Sequence, residues 1–310
     1  MTYKNFQKLV CPDCKGKLKT EKTKLNCKKC NKIFIIKNNI PRFIEEKENI
    51  ETKSGKRFGY KWEKNPKINK YYEKNFIDEI YPLDKNFFKN KVVLDAGCGI
   101  GIPTYCMHKL GAKEIYSFDI SKSVDIAKNN VKNNNGLFIQ ADIHKMPFSE
   151  KSFDIVVCVA VLQHVSNKKE AVTKLIKLVK PKGTLILWVY GREGSGFVRF
   201  VVEPLRKVIT RNLPIAITHY ISIPLGYQFH YLTKFIKKTN FLIPMKKYMI
   251  YRSEFPLKNN IEMVFDQLLA PLSHLFSKEE VESFLKNENI EQYSIRRHND
   301  NSWTAIAKKK

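Results

Sequence analysis

The stretch VVLDAGCGIG, residues Val92–Gly101, decides the fold of this chain. It is an apolar run followed by a glycine-rich turn, which is typical of a buried strand that leads into a helix. A dinucleotide-binding GxGxxG fingerprint would need a glycine at position 102, where the chain has Ile102. The pattern is instead D-x-G-x-G-x-G, beginning at Asp95. Gly97 and Gly99 would let the backbone approach a ligand closely, because any Cβ would collide there.

On both sides of this turn, short β-branched runs alternate with helical stretches, the pattern of βαβ units. The pattern predicts strands over residues 91–97, 114–119, 137–140, 153–160 and 184–190, and helices over residues 121–132 and 167–180. The strands are apolar throughout, which indicates a sheet covered by helices on both faces. A further helix from Ser277 and strands over residues 291–296 and 302–308 are predicted near the C-terminus.

The glycine turn, the ADI stretch at residues 141–143 and the FDIVVCVAVLQHV stretch at residues 153–165 resemble the class I methyltransferases that use S-adenosylmethionine, within them the type 11 methyltransferase domain. The resemblance implies an α/β, Rossmann-like fold with a seven-stranded mixed sheet and helices on both faces. It also implies S-adenosylmethionine as the cosubstrate. The candidate residues for binding it are Asp95, Gly97, Gly99, Gly101, Asp119, Asp142, Ile143, Tyr60 and Trp62.

The resemblance also suggests what these residues contact. Asp95 would lie near the methionine portion of the cosubstrate, and Asp142 near its adenine amino group. A carboxylate at Asp119 would accept hydrogen bonds from the ribose hydroxyls, as the acid that ends the second strand of a Rossmann fold does. Tyr60 and Trp62 would fold over the ligand, or else pack a helix.

Two residues after the fourth strand are candidates for catalysis. His164 titrates in a range useful for a general base, and Gln163 would orient the acceptor. Alternatively, His164 caps the strand or helix without taking a proton. The chain has AVLQH where enzymes that methylate exocyclic amines of adenine or glutamine have N/D-P-P-Y/F, which disfavours that chemistry.

Two CxxC pairs near the N-terminus predict a metal site. Cys11 and Cys14 precede Cys27 and Cys30 by twelve intervening residues, and such knuckles close a tetrahedron of four thiolates around one structural zinc ion. Redox cysteines and an iron–sulfur centre are the alternatives. The segment resembles a zinc-ribbon family that is fused to, or partners, methyltransferases.

The chain therefore divides into five parts. They are a zinc ribbon (residues 1–44), a polar linker (45–57), an S-adenosylmethionine-binding core (58–190), a helical, basic and aromatic insertion (191–276), and a C-terminal helix and strands that complete the core (277–310). The insertion is interpreted as a lid, a surface for anionic lipid, an RNA groove or a packed subdomain. The tail resembles that of a largely uncharacterised group of zinc-ribbon methyltransferases, which suggests acceptor contacts at Asp266, His274, Arg297, Asn299 and Trp303.

The net charge of +26 comes mainly from lysine, with nine arginines among 56 basic residues. We interpret this charge first as compositional drift, although nucleic acid and an anionic membrane are the partners that it would attract. No stretch reads as a signal peptide or a membrane span, so a cytoplasmic protein is expected.

The favoured function is methyl transfer to a small molecule, a lipid-linked intermediate or a surface sugar. An RNA methyltransferase is the alternative, and a non-catalytic scaffold is the third hypothesis.

Overall fold

The computed structural model describes residues 3–45, 49–132, 135–210, 212–240 and 245–310. The strands are β1 (Leu18–Thr20), β2 (Lys24–Cys27), β3 (Ile33–Lys37), β4 (Ile40–Arg42), β5 (Val92–Ala96), β6 (Glu114–Asp119), β7 (Leu137–Gln140), β8 (Phe153–Val159), β9 (Val179–Tyr190), β10 (Ile290–His298) and β11 (Ser302–Lys309). The helices are α1 (Ile50–Lys64), α2 (Lys70–Ile80), α3 (Ile102–Lys109), α4 (Ser123–Asn130), α5 (Lys168–Leu178), α6 (Glu203–Leu205), α7 (Ile215–Lys237), α8 (Lys246–Ser253), α9 (Leu257–Leu269) and α10 (Lys278–Leu285). A 3₁₀ turn, Leu162–His164, follows β8.

Seven strands form the core sheet in the order β7-β6-β5-β8-β9-β11-β10. Neighbouring strands are parallel from β7 to β9, and β11 runs antiparallel to both β9 and β10. The predicted Rossmann-like fold with a seven-stranded mixed sheet is thus confirmed. The predicted strands are all present. However, β9 begins at Val179, because the helix before it ends at Leu178 rather than continuing to position 180.

The cysteine-bearing segment adds four strands to one edge of this sheet. Strands β1 to β4 form an antiparallel unit, and β4 pairs in parallel with β7, so that one sheet of eleven strands results. The Phe43 amide donates to the Gln140 carbonyl at 2.7 Å. Arg42 forms an ion pair with Asp125 at 2.7 Å. The ribbon is therefore an extension of the core sheet, which the sequence did not indicate.

The linker predicted over residues 45–57 is wrong for its second half, because α1 begins at Ile50. Asn49 and Thr52 form a reciprocal capping box that stabilises the start of this helix. Of the polar residues that suggested a linker, Lys53 and Lys56 lie on the exposed side of the helix, whereas Glu51 and Ser54 are buried together with Gly55. Residues 46–48 of the predicted linker lie outside the described residues.

Helices dominate the predicted insertion between β9 and α10. Two π-helical segments, Val198–Val202 and Arg206–Thr210, flank α6, and we call this unit the 198–210 segment. Helix α7 packs along α9 and α8. Residues 211 and 241–244 of the insertion lie outside the described residues. Within the part of the chain that the structure describes, no helix has the length and apolar character needed to cross a membrane.

Candidate active site

A cavity of about 1420 Å³ lies where the carboxyl ends of the parallel strands face the helical insertion. Ligand pockets usually measure about 300–1,000 Å³, so this cavity can hold two molecules side by side. One end is lined by the glycine turn. The other end is lined by apolar side chains of the insertion, among them Val198, Val202, Leu225, Phe229 and Met263.

The glycine turn forms the floor of the cavity at its first end. Gly97 has φ +82°, and a Cβ built on it would lie 2.2 Å from Cγ2 of Val161. Gly99 has φ +53° and faces the indole of Trp62, whose Nε1 would lie 3.3 Å from an added Cβ. Larger side chains at these positions would therefore strain the backbone and fill the space beside the turn.

Asp119 is held at the end of β6 with its carboxylate at the cavity wall. It accepts hydrogen bonds from the Gly99 amide at 2.9 Å and from the amide and hydroxyl of Ser121 at 2.8 and 2.7 Å. Burial raises the pKa of the Asp119 carboxyl, and these donors oppose the shift. Asp142 and Ile143, after β7, also line the cavity.

Two predicted residues of the turn lie behind the cavity wall. Asp95 is buried beneath the glycines and does not line the cavity, and the Thr104 hydroxyl donates to its Oδ2 at 2.6 Å. Burial raises the pKa of Asp95 to about 7, the Thr104 hydrogen bond lowers it, and Asp119 raises it further. Gly101 packs against α4, where an added Cβ would lie 3.2 Å from Cβ of Ala127.

The two aromatic residues of α1 point in different directions. Trp62 lines the cavity beside Gly99, whereas Tyr60 does not line it. The reason is helical periodicity, since residues 51, 54, 55, 58 and 62 share the face of α1 that meets the cavity. Lys61 lies over the Trp62 ring, 3.9 Å from its centroid, and pairs with Asp266 at 2.5 Å.

His164 lines the cavity, but Gln163 does not. The Nδ1 atom of His164 lies 2.7 Å from the Leu272 carbonyl, which can only accept, so Nδ1 carries the proton and Nε2 keeps a lone pair. Burial lowers the pKa of His164 to about 4, although the Leu272 carbonyl opposes this shift. The ring packs on Phe58, with the ring centroids 4.7 Å apart. Gln163 is fully buried and turned away from the cavity.

Of the five residues suggested as acceptor contacts, Asp266 and Asn299 line the cavity. The other three are engaged elsewhere. His274 binds Glu280 at 2.7 Å through Nε2, and the Trp303 indole donates to Glu193 at 3.1 Å. Arg297 donates to the Asp300 carbonyl at 3.0 Å on the surface. Arg297 and Trp303 are paired across β10 and β11, whereas His274 lies in the loop between α9 and α10.

A polar strip on the cavity wall was missed by the sequence analysis. The Tyr251 hydroxyl donates to Oδ1 of Asn75 at 3.1 Å, and the Asn75 amide donates to Glu79. The Tyr72 hydroxyl donates to Glu262. Burial raises the pKa of the Glu79 carboxyl to about 8; Asn75 lowers it and Asp78 raises it. Three of these residues, at positions 72, 75 and 79, lie on one face of α2. Sequence alone does not distinguish this spacing from that of an ordinary polar helix face.

The four predicted metal ligands converge in the ribbon. The Sγ atoms of Cys11, Cys14, Cys27 and Cys30 all lie within 4.8 Å of one another. Four thiolates about 2.3 Å from a zinc ion are separated by about 3.8 Å in a tetrahedron, so the set fits this metal. The backbone amides of Lys29 and Cys30 point at the Cys27 sulfur, at 3.4 and 3.5 Å. Such amide donors stabilise a thiolate.

Comparison with known proteins identifies relatives of part of the chain. Residues 94–187 match a family described as "Methyltransferase domain". Over 175 residues, the chain is 29% identical to the mitochondrial ubiquinone biosynthesis O-methyltransferase of Schizosaccharomyces pombe, which covers 54% of this chain and 61% of that protein. Over 107 residues, it is 35% identical to the malonyl-[acyl-carrier protein] O-methyltransferase of Halalkalibacterium halodurans, covering 33% of this chain and 40% of that protein.

Both curated relatives are thus matched over less than two thirds of their length. Among solved structures, the PH0226 protein from Pyrococcus horikoshii OT3 aligns with a TM-score of 0.47 at 19% sequence identity. The alignment covers 78% of this chain and 92% of that one.

Proposed function

Because residues 94–187 are a methyltransferase domain of the class I, S-adenosylmethionine-dependent superfamily, we propose that this protein transfers the sulfonium methyl group to an oxygen of a small-molecule or lipid-linked acceptor. The observation that carries the proposal is the continuity of the cavity. One continuous space runs from the glycine turn to a chamber lined by apolar side chains of the insertion. The names of the two curated relatives, both O-methyltransferases, support oxygen as the methylated atom.

The cosubstrate would occupy the end of the cavity at the carboxyl ends of β5 to β7. Gly97 and Gly99 leave space for the methionine portion, and Asp119 accepts the ribose hydroxyls. Asp142 and Ile143 would contact the adenine, and Trp62 would cover the ligand from α1. Asp95 acts from behind the turn, where its hydrogen bond from Thr104 fixes the start of α3.

The acceptor would lie between the glycine turn and the insertion. Its hydroxyl oxygen attacks the methyl carbon in line with the sulfur, so that the C–O bond forms as the C–S bond breaks and the sulfur keeps the electron pair. The hydroxyl proton passes to Nε2 of His164. Because the pKa of His164 is about 4, the imidazole is neutral at pH 7 and accepts the proton only as the C–O bond develops.

The polar strip would bind the head of the acceptor. With a pKa of about 8, Glu79 carries its proton at neutral pH and can donate a hydrogen bond to an acceptor oxygen. The apolar chamber would hold the rest of the molecule. This division fits an acceptor with an oxygenated head and an apolar tail.

The ribbon would hold one structural zinc ion through Cys11, Cys14, Cys27 and Cys30. A shell of four thiolates leaves no open coordination position, so the metal contributes folding energy rather than chemistry. The cluster lies on the four-stranded extension of the sheet, at the opposite edge from β10.

Calorimetric titration with S-adenosylmethionine tests the cosubstrate site. We expect Asp119→Ala to reduce affinity by about a hundredfold, because the carboxylate both accepts the ribose hydroxyls and holds the Gly99 amide. Asp84→Ala, in an exposed turn, is the matched control and should leave affinity unchanged. Equal affinity of the Asp119 variant and the wild type would refute the assignment.

Methyl-labelled S-adenosylmethionine with cell extract tests the acceptor class. Label recovered in the solvent-extracted fraction is the expected result, and His164→Asn should lower its rate of appearance while cosubstrate affinity is retained. Label in a fraction sensitive to ribonuclease would overturn the proposed acceptor but leave the cosubstrate site standing.

A further inference from the structure

Large hydrophobic side chains are exposed on the outside of the 198–210 segment and α7. Phe200 and Val208 are each 74% exposed, and Tyr220 is 70% exposed. None of these three lines the cavity, so their exposure is to bulk solvent. We call the following set the apolar surface: Phe200, Val208, Ile209, Ile217, Tyr220, Ile221, Tyr227, Tyr231 and Phe235.

Helix α7 buries mostly small and polar residues and exposes several large apolar ones. The helix packs along α9, and its buried residues are Thr218, Ser222, Gly226, His230, Thr233 and Ile236. A Cβ on Gly226 would lie 2.6 Å from Cα of Ile261, so the two backbones approach closely here. A helix at the surface of a water-soluble domain normally has the reverse arrangement, with its apolar face inward. Close packing through small residues is instead typical of helices surrounded by lipid.

Positive charge borders the α7 part of the apolar surface and is absent from most of that helix. Helix α7 has no charged residue from Ile215 to Thr233, and Lys234, Lys237 and Lys238 follow at its end. Arg199 lies at the other border, with its guanidinium 5.2 Å from the centroid of the Phe200 ring. Between residues 197 and 238 the sole acidic residue in the sequence is Glu203, and Lys207 pairs with it at 2.7 Å.

The mouth of the cavity opens within this region. Phe197, Val201, Leu205 and Leu232 line the cavity and are between 39% and 62% exposed. Val201 and Leu205 belong to the 198–210 segment, Phe197 directly precedes it, and Leu232 lies on α7. A molecule that enters or leaves the apolar chamber therefore passes the apolar surface.

We propose that the apolar surface docks on an anionic lipid bilayer, with its aromatic and aliphatic side chains among the acyl chains and the bordering cations at the headgroups. Proteins that lie in the membrane interface have the same distribution of apolar side chains and bordering cations. The inference rests on the proposed function in one respect, since it makes the bilayer the source from which an apolar acceptor enters the cavity.

The charge pattern favours lipid over RNA. A groove for single-stranded RNA interleaves cations with stacking aromatic side chains along the strand. Here 19 consecutive residues of α7 carry no cation. The cations at the borders match the headgroups of a bilayer whose interior meets the uncharged middle.

Flotation with vesicles tests the proposal without S-adenosylmethionine, so docking and catalysis can fail separately. Wild-type protein should float with vesicles of phosphatidylcholine and phosphatidylglycerol, and its partition coefficient should fall at least about tenfold on pure phosphatidylcholine. The variant Phe200→Ser/Tyr231→Ser/Phe235→Ser should also lose about tenfold. Calorimetry with S-adenosylmethionine on the same variant shows that the core remains folded, because these side chains lie outside the cavity.

Ile33→Ser/Ile35→Ser is the matched control. These side chains on β3 of the ribbon are 60% and 63% exposed, similar to Tyr231 and Phe235, and their loss should leave flotation unchanged. Equal flotation of the wild type and the triple variant would overturn the proposal. A stable dimer in sedimentation velocity that the triple variant disrupts would also overturn the proposal. Binding of structured RNA by a protein that does not bind vesicles would overturn it as well.

Discussion

The carboxyl group of Glu79 lies in the wall of the cavity. Because this group is buried, the stability of the protein depends on pH. The pKa of this carboxyl is raised from 4.5 to about 8 in the folded protein. A raised pKa means that the folded state binds the proton more tightly than the unfolded state does. The neutral Glu79 carboxyl therefore makes its full contribution to the free energy of unfolding below pH 4.5. This contribution is lost as the pH rises through 8.

We expect Glu79→Gln, whose side chain cannot ionise, to remove this loss of stability at high pH. Relative to the wild type, its free energy of unfolding should rise by about 4 kcal/mol between about pH 5 and pH 9. Urea unfolding curves at both pH values measure the difference. Glu63→Gln, on the exposed side of α1, is the control. A difference that is independent of pH would contradict the burial of an ionisable Glu79.

At the scale of elements, Arg42 connects the ribbon to the core. Its guanidinium donates to both carboxylate oxygens of Asp125, at 2.7 and 2.9 Å, and to Oε1 of Gln140 at 3.1 Å. The Arg42 side chain is 14% exposed, so these charge-assisted bonds are partly shielded from water.

We expect Arg42→Ala to loosen the pairing of β4 with β7 by about 1–2 kcal/mol. Hydrogen exchange of the Phe43 amide, which donates to Gln140, should accelerate by about tenfold. Lys19→Ala is the control, because Lys19 is 65% exposed and its partner Glu21 lies 3.7 Å away. Unchanged exchange at Phe43 would show that Arg42 does not hold the ribbon on the core.

The elements that the sequence predicted best are those whose signals are local. The five parallel core strands follow from apolar runs between turn residues, and the cysteine cluster follows from its spacing. The start of α1 was missed because its polar exposed side resembles a linker. The orientations of Tyr60, Gln163 and Trp303 depend on how helices and strands pack, and a periodic pattern does not state which face meets a cavity.

The polar strip required the tertiary structure for the same reason. Asn75 and Glu79 belong to α2, whereas Tyr251 comes from α8. Nothing in the spacing of these residues links them before the chain is folded. Glu79 gains its altered pKa from the apolar surroundings that other elements supply.

At the scale of the whole molecule, the continuous sheet couples the cysteine cluster to the core. We expect Cys30→Ser to abolish zinc binding and to lower the melting temperature of the entire chain, because the ribbon and core share one sheet. Scanning calorimetry, with zinc counted by native mass spectrometry, measures both effects. Cys106→Ser, at a buried thiol outside the cluster, should keep the metal. Loss of metal with no change in the core transition would show that the ribbon folds independently.

The continuity of the sheet has a further consequence for the fate of the newly made chain. Without the ribbon, the core would present β7, with the sequence LFIQ, as an open edge that invites pairing with other molecules. The ribbon pairs with the carboxyl end of β7, where Arg42 meets Gln140, and places β1, a three-residue strand with the sequence LKT, at the outer edge of the sheet. A short edge that carries lysine is a poor template for aggregation. Cells starved of zinc should therefore accumulate this protein in inclusion bodies rather than as an inactive but dispersed species.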